Sequence, residues 1–283
     1  MDRCIADGIA YIPSVMSHPI LTDRTALEAH RARATDAAWF LHEEALDEVQ
    51  ERLKDVNRTF TAPAIVTGHP QVWGDVIPGA KVVPDTSVLD LTPAAHDLVI
   101  HAMALHWADD PVGQLIQCRR ALAPDGLFLG VAFGGQTLHE LRAVLAQAET
   151  AVMGGLSPRV APMADIRDMG ALLQRAGLAL PVADSLPRRV RYTTMFRLMA
   201  DLRAMGETNA LAARHRRFAP KHLFAEAARI YQEHFADADG IGATYELLFL
   251  SGWAPAETQQ KPLRPGSATT RLADVLGVKE QGA

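Results

Sequence analysis

Cysteine and basic charge are both scarce in this chain, and each shortage excludes a class of protein. Cys4 and Cys118 are the only cysteines among 283 residues, too few for a disulfide framework or a cysteine-based zinc site. Lys and Arg together number 28 against 33 Asp and Glu, which gives a net charge of −5. Without a basic excess, a general nucleic-acid binder is not expected.

Long apolar runs are absent as well. No stretch approaches the ~18 apolar residues that a membrane span needs, and the N-terminus lacks the basic start and apolar core of a signal peptide. The composition, with 48% hydrophobic and 22% charged residues, is that of an ordinary globular protein. We therefore expect a cytoplasmic protein with no nucleic-acid partner and no membrane span, while contact with a membrane surface stays open.

The sequence contains no linker long enough to separate two domains, although domains of about 150 residues would allow two. Residues 1–22 show no clean periodicity, so we expect them to be disordered or outside the native fold, with Met16 as an alternative start. Residues 23–276 are expected to form a single domain, and 277–283 a tail. Within the domain we expect a capping helix at 27–56, a core sheet at 63–135 and a helical addition at 190–240.

Short apolar runs separated by turn residues follow the first helix. They predict strands at 64–66, 81–83, 97–100, 127–133 and 243–250. Apolar residues at helical spacing predict helices at 114–122, 137–152, 165–176, 194–205 and 223–235. Strands that alternate with helices predict an α/β, Rossmann-like fold with a mostly parallel sheet and added helices.

Ligands of open α/β sheets bind beyond the carboxyl ends of the strands, and several polar residues fall there. Asp85 follows Gly68 by 17 residues, which is compatible with an acid that takes ribose hydroxyls, although a turn aspartate explains it equally well. His106 and Trp107 are candidates for stacking on a planar ligand, the alternative being a buried aromatic that satisfies its ring N–H. His101 is expected to be structural.

Two further segments carry polar candidates. Arg159 ends the loop 154–159, where its guanidinium fork suits carboxylate recognition; a solvated surface arginine is the alternative. The tail residues Gln259, Gln260 and Lys261 are expected to dock onto the domain.

No metal ligand set is predicted, because the zinc-protease HExxH pattern is absent. The His-x-carboxylate start of an iron triad occurs only at His42-Glu43-Glu44, where a solvated helix face is the better explanation.

Several motifs give the chain a family resemblance. It resembles class I S-adenosylmethionine methyltransferases, including the malonyl-carrier-protein O-methyltransferases, at DLVI (97–100), LHW (105–107), DP (110–111) and RRALAPDG (119–126). A closer resemblance is to the family of mitochondrial complex I assembly factor 5 and its alphaproteobacterial relatives. The motifs that carry it are GGQTLHELR (134–142), GGLSPRVAP (154–162), DLRAMGETNA (201–210), GWAP (252–255) and QQKPLRPGS (259–267).

The resemblance implies a cofactor, a partner and a set of site residues. The cofactor would be S-adenosylmethionine, and the partner a protein substrate: the iron–sulfur subunit of complex I near the quinone site, modified on an arginine, reported as hydroxylation. Two alternatives stay open, a catalytically inactive chaperone-like assembly factor and a small-molecule carboxyl O-methyltransferase. The implied cofactor contacts are Gly68, Asp85, Leu105 and His106, and the implied substrate-side residues are Trp107, Arg159, Gln260 and Lys261.

One stretch departs from the family pattern. The first motif of the methyltransferase family resembles D-x-G-x-G. At the corresponding place this chain has Val66-Thr67-Gly68-His69-Pro70-Gln71, with one glycine and no acid. The following segment is also shortened, so Asp85 ends either the second or the third strand of the family's sheet. We expect weak cofactor binding, and we expect Asp85→Ala to change the unliganded stability by no more than about 1 kcal/mol, as surface changes usually do.

Overall fold

A computed structural model describes residues 20–259. Within that range seven strands form one sheet, in the order β2-β1-β3-β4-β7-β5 with β6 paired to β7. Strands β2, β1, β3 and β4 pair in parallel, whereas β7 pairs antiparallel with β4, β5 and β6. Six strands therefore point the same way, which confirms the predicted α/β fold with a mostly parallel sheet. The strands are β1 (Pro63–Thr67), β2 (Lys81–Val83), β3 (His96–Ala102), β4 (Leu122–Phe133), β5 (Ala179–Tyr192), β6 (Ala236–Asp237) and β7 (Gly240–Trp253).

Helices cover both faces of the sheet, and each face has its own apolar core. One core includes Leu41, Leu141 and Leu198 from three helices, and the other includes Leu115 and Leu173. A sheet covered on both faces explains the unbroken apolar run in the second half of β4. The helices are α1 (Arg24–Arg31), α2 (Phe40–Val56), α3 (Pro70–Trp73), α4 (Pro111–Ala121), α5 (His139–Met153), α6 (Ile166–Arg175), α7 (Met195–Ala204) and α8 (Lys221–Phe235).

The single capping helix predicted at 27–56 is wrong. The chain forms α1, a 3-10 turn at Asp36–Ala38 and then α2. Between the helices the Thr35 amide donates to the Ala204 carbonyl at 2.8 Å, so a tertiary contact interrupts the helical pattern. This break places the end of α1 and the start of α2 independently over the sheet.

Strand β5 was not predicted at all. Its 14 residues include Pro181 and Pro187 and pair only with β7, which makes it an edge strand, where proline is tolerated. The predicted 190–240 helical addition therefore begins in the last residues of β5, contains α7 and α8, and ends at β6 and β7.

Contacts with the domain already begin before residue 23. The amides of Leu21 and Thr22 each donate to Asp109 Oδ1 at 2.8 Å. Residues 1–19, including Met16, and the predicted tail 277–283 lie outside the described residues. Across the described part of the chain, none of the helices combines the length and apolar character needed to cross a membrane.

Candidate functional site

Asp85 lies in a buried ion-pair network. It follows β2, which neighbours β1 in the sheet, so Asp85 ends the strand in the second position. Arg31 Nη1 donates to Asp85 Oδ1 at 2.7 Å, and Arg24 Nη1 donates to Oδ2 at 3.2 Å. Burial raises the pKa of Asp85, but the two arginines outweigh it and hold the pKa below its usual range. Asp85 is thus ionised and already paired.

Gly68 lies directly beneath the same arginine. A Cβ added to Gly68 would collide with the Arg31 guanidinium, so the glycine admits the chain's own side chain against the backbone. Arg31 is 7% exposed, and its Nε and Nη2 groups have no hydrogen-bond partner within the described structure. The space directly above Gly68 is therefore occupied by the Arg31 side chain.

The residues present do not fit S-adenosylmethionine in the usual place. A ribose hydroxyl needs an accessible carboxylate at the end of the second strand, but Asp85 is 3% exposed and already accepts from two arginines. The methionine part needs open glycine backbone, but Arg31 covers Gly68 and the next two residues are His69 and Pro70. No step of the chemistry is therefore assigned to this cofactor.

S-adenosylmethionine at millimolar concentration is expected to leave the melting temperature unchanged. A ligand that binds only the native state at 100 times its Kd adds about 2.7 kcal/mol, which corresponds to a rise of roughly 5–10 °C for a chain of this size. Differential scanning fluorimetry with and without the cofactor checks this. A rise of several degrees would show that Arg31 vacates the site.

The segment after β3 brings His106 and Trp107 into contact with Glu207, a residue that the sequence did not predict as part of a site. Trp107 Nε1 donates to Glu207 Oε2 at 2.7 Å, and His106 Nε2 lies 3.4 Å from the same oxygen. Leu105 packs into an apolar core at 3% exposure, and His101 Nε2 lies 2.6 Å from Gln114 Oε1 inside the fold. Glu207 belongs to the motif 201–210, but no role was predicted for this residue from the sequence.

Two buried histidines complete a polar cluster around Glu207. His42 comes from α2 and His69 caps the start of α3, and one ligand atom from each lies within 4.8 Å of the others and of a Glu207 oxygen. Burial lowers the pKa of His42 to about 3 and that of His69 to about 4, so both imidazoles are neutral at pH 7. Burial raises the pKa of Glu207, but His106, Arg31 and His69 outweigh it and keep this pKa below its usual range.

An apolar cavity of about 360 Å³ adjoins this cluster. Trp107 and Arg159, both predicted on the substrate side, line it together with Glu207. Arg159 Nη2 donates to Glu149 Oε1 at 2.7 Å, so its charge is already paired. Helices α5, α7 and α8 each contribute to the walls, and the apolar lining includes Leu138, Leu141, Leu145, Met199, Leu202 and Phe224.

The predicted site residues therefore separate into two places. Gly68 and Asp85 border one surface cavity, under α1, whereas Trp107 and Arg159 border the apolar one, and His106 contacts the Glu207 that borders it too. Gln259 docks onto the domain as expected, with its Nε2 donating to Asp125 Oδ1 at 3.0 Å. Gln260 and Lys261 lie outside the described residues.

No protein-family model matches the chain. The arginine-hydroxylase NDUFAF5, mitochondrial, of Homo sapiens is 38% identical over 200 residues, covering 70% of this chain and 58% of that protein. The Dictyostelium discoideum protein of the same name is 40% identical over 188 residues, 66% of this chain and 43% of that protein. The malonyl-[acyl-carrier protein] O-methyltransferase of Halorhodospira halophila is 32% identical over 201 residues, 71% of this chain and 65% of that protein.

The chain thus spans between about two fifths and two thirds of the length of these relatives. Among solved structures, phosphoethanolamine N-methyltransferase 2 of Haemonchus contortus in complex with S-adenosyl-L-methionine is similar with a TM-score of 0.40. It is 14% identical, and the match covers 74% of this chain and 53% of that one.

Proposed function

This chain is a homologue of the arginine-hydroxylase NDUFAF5 proteins on a methyltransferase-like fold, and we propose that it acts on a protein client during the assembly of respiratory complex I. The target would be an arginine, as the relatives' name indicates. We propose, on the family resemblance of the sequence, that the client is the iron–sulfur subunit near the quinone site. We also propose that the protein acts in the cytoplasm. The carboxyl O-methyltransferase alternative is not favoured, because the residues present do not fit the methyl donor.

The apolar cavity is the observation that carries this proposal. It lies beside the carboxyl ends of β3 and β4, where ligands of α/β sheets bind, and it ends at the polar cluster around Glu207. Its walls suit the aliphatic stem of a long side chain, because such stems bury along apolar surface. The Trp107 ring in the wall of the cavity suits stacking by a guanidinium, an arrangement that Arg159 already makes over Phe224 at 6.0 Å from the ring centroid.

The rim of the cavity differs in charge from its interior. Arg33 and Arg203 border the cavity and both are exposed. Exposed cations of this kind favour acidic residues on a partner and speed the encounter with it. We therefore expect the client's target arginine to lie among acidic neighbours.

Filling the cavity is expected to abolish the function in cells. Val160 lines the cavity and is half-buried, so Val160→Trp would place an indole where the client side chain enters. In a deletion strain of the source organism, we expect this variant to restore less than about a tenth of the arginine modification that the wild-type chain restores, since a tenfold loss needs only about 1.4 kcal/mol. Mass spectrometry of the iron–sulfur subunit and native gels of complex I measure the two outcomes.

The matched control is Val88→Trp, which adds the same indole at a residue that is 76% exposed and does not line the cavity. It should complement like the wild-type chain. Equal complementation by Val160→Trp would overturn the role of the cavity. If the wild-type chain restores complex I assembly but the arginine stays unmodified, the chaperone-like alternative is favoured.

A further inference from the structure

We propose that His42, His69 and Glu207 form a binding site for a divalent first-row transition metal. The site goes beyond the proposed function, because metal binding requires no client, although the site shares Glu207 with the cavity. It is assembled from three distant parts of the chain: helix α2, the residue that precedes α3, and the segment after α7.

The strongest evidence is a set of buried polar atoms without partners that face one another. His42 Nε2, His69 Nε2 and Glu207 Oε1 each lack a hydrogen-bond partner within the described residues. Both histidines are 0% exposed, and the Glu207 side chain is 5% exposed. Buried polar atoms are normally hydrogen-bonded, and a buried polar atom without a partner destabilises the fold. Three such atoms together indicate that something binds between them.

The spacing of the cluster suits a cation. Ligand atoms from the three residues all lie within 4.8 Å of one another, and the distance from His69 Nε2 to Glu207 Oε1 is 3.9 Å. Metal–ligand bonds of about 2.0–2.2 Å place ligand atoms about 3–4 Å apart around a single ion. Only small side-chain shifts are therefore needed to close the set.

Neighbouring groups hold two of the ligands in position. Trp107 Nε1 donates to Glu207 Oε2, which leaves Oε1 directed at the histidines. The Gln71 amide lies 3.4 Å from His69 Nδ1, on the side of the ring away from the cluster, and it supports a metal-bound ring when the amide is turned so that its oxygen accepts from Nδ1–H. Such outer contacts orient ligands, and their loss typically lowers metal affinity by about 10–100-fold.

Trp73 makes an opposing contribution at the third ligand. Its Nε1 donates to His42 Nδ1 at 3.1 Å, so the proton of neutral His42 resides on Nε2. A metal that binds Nε2 must shift that proton to Nδ1, and this disrupts the bond from Trp73. The metal-free and metal-bound states therefore compete for the His42 ring, which limits the affinity.

Two imidazoles and one carboxylate narrow the choice of metal. This donor set is the one used by non-haem iron(II) oxygenases, which keep open positions for other ligands, and catalytic zinc sites use it as well. Glu207 also lines the apolar cavity, so the metal would lie at the inner end of that cavity. The chemistry of the ligands points to Fe(II) or a similar ion rather than to calcium or magnesium, which prefer oxygen ligands.

Anaerobic calorimetric titration of the purified full chain with Fe(II), and with Co(II) as a spectroscopic probe, tests the proposal without any client. We expect one ion per chain and a cobalt absorption band. His69→Gln and Glu207→Gln should each weaken binding at least tenfold. His139→Gln is the matched control, because His139 also lies beside a glutamate, Glu140 at 3.3 Å, but is 45% exposed and outside the cluster; its affinity should not change.

Trp73→Phe gives a result of the opposite sign and keeps the test decisive if a ligand variant misfolds. Removing the competing N–H is expected to tighten cobalt binding by about tenfold, the equivalent of about 1.4 kcal/mol. Absence of one-to-one binding, or binding that survives both ligand substitutions, would overturn the site. Unchanged binding in Trp73→Phe would overturn the assignment of His42. The metal titrations are independent of the complementation experiment in cells. A chain that binds no metal could therefore still have the proposed function.

Discussion

Replacing Asp85 with alanine is expected to lower the free energy of unfolding by about 3–5 kcal/mol, the usual cost of breaking a buried ion pair from one side. The carboxylate is 3% exposed and pairs with Arg31, which is itself 7% exposed and has two further N–H groups without partners. The variant would leave the buried guanidinium uncompensated. For a chain of this size the melting temperature should fall by about 6–20 °C. This corrects the expectation from sequence that Asp85→Ala costs no more than about 1 kcal/mol.

Two controls separate this effect from the loss of any aspartate. Asp90→Ala removes a carboxylate that is 87% exposed and pairs with Lys81, and its stability should stay within about 0.5 kcal/mol of the wild type. The double variant Arg31→Met, Asp85→Leu removes both buried charges, and it should recover most of the loss. A small effect of Asp85→Ala in thermal or urea melts would contradict the buried pair.

The same pair predicts a pH dependence with a definite sign. The folded-state pKa of Asp85 lies below its usual value, so its stabilisation is present above the unfolded value of about 3.9 and is lost as pH falls through the folded pKa. The stability gap between wild type and Asp85→Asn should therefore be constant near neutral pH and shrink below about pH 4. A gap that grows on acidification would contradict this assignment.

Phe249→Ala is expected to destabilise the fold by about 3–5 kcal/mol, the usual range for deleting a buried phenylalanine ring. Phe249 lies at 2% exposure on β7, between Val131 of β4 and Asp184 of β5. The Arg52 guanidinium stands 4.5 Å from the ring centroid and also pairs with Asp184. The ring thus helps to join the reversed strand to both neighbours, and its loss should lower the melting temperature by about 6–20 °C.

Phe218→Ala provides the matched control, since the Phe218 side chain is fully exposed. Its melting temperature should remain close to that of the wild type, because surface substitutions are usually worth less than about 0.5 kcal/mol. Similar losses from the two variants would mean that β7 does not organise this side of the sheet.

Local pattern in the sequence was enough to predict most of the regular structure. The apolar run of β4 and the turn residues after β1 and β2 predicted strands that the structure has. The position of Trp107 after a strand predicted a residue that could stack on a planar ligand, and Trp107 lines the cavity. Strand β5 was not predicted because its prolines and charges are tolerated only at the edge of a sheet. Local sequence pattern does not show which strand lies at an edge.

Tertiary structure alone decided the chemistry of the polar cluster. His42 appeared to lie on a solvated helix face, yet α2 turns it inward to His69 and to Glu207, which is 165 residues further along the chain. Asp85 was found from its place after a strand, but its pairing depends on the break between α1 and α2, which brings Arg31 over Gly68. The physical reason is that periodicity reports which face of an element is apolar, whereas ligand sets and buried ion pairs arise where the polar residues of different elements meet.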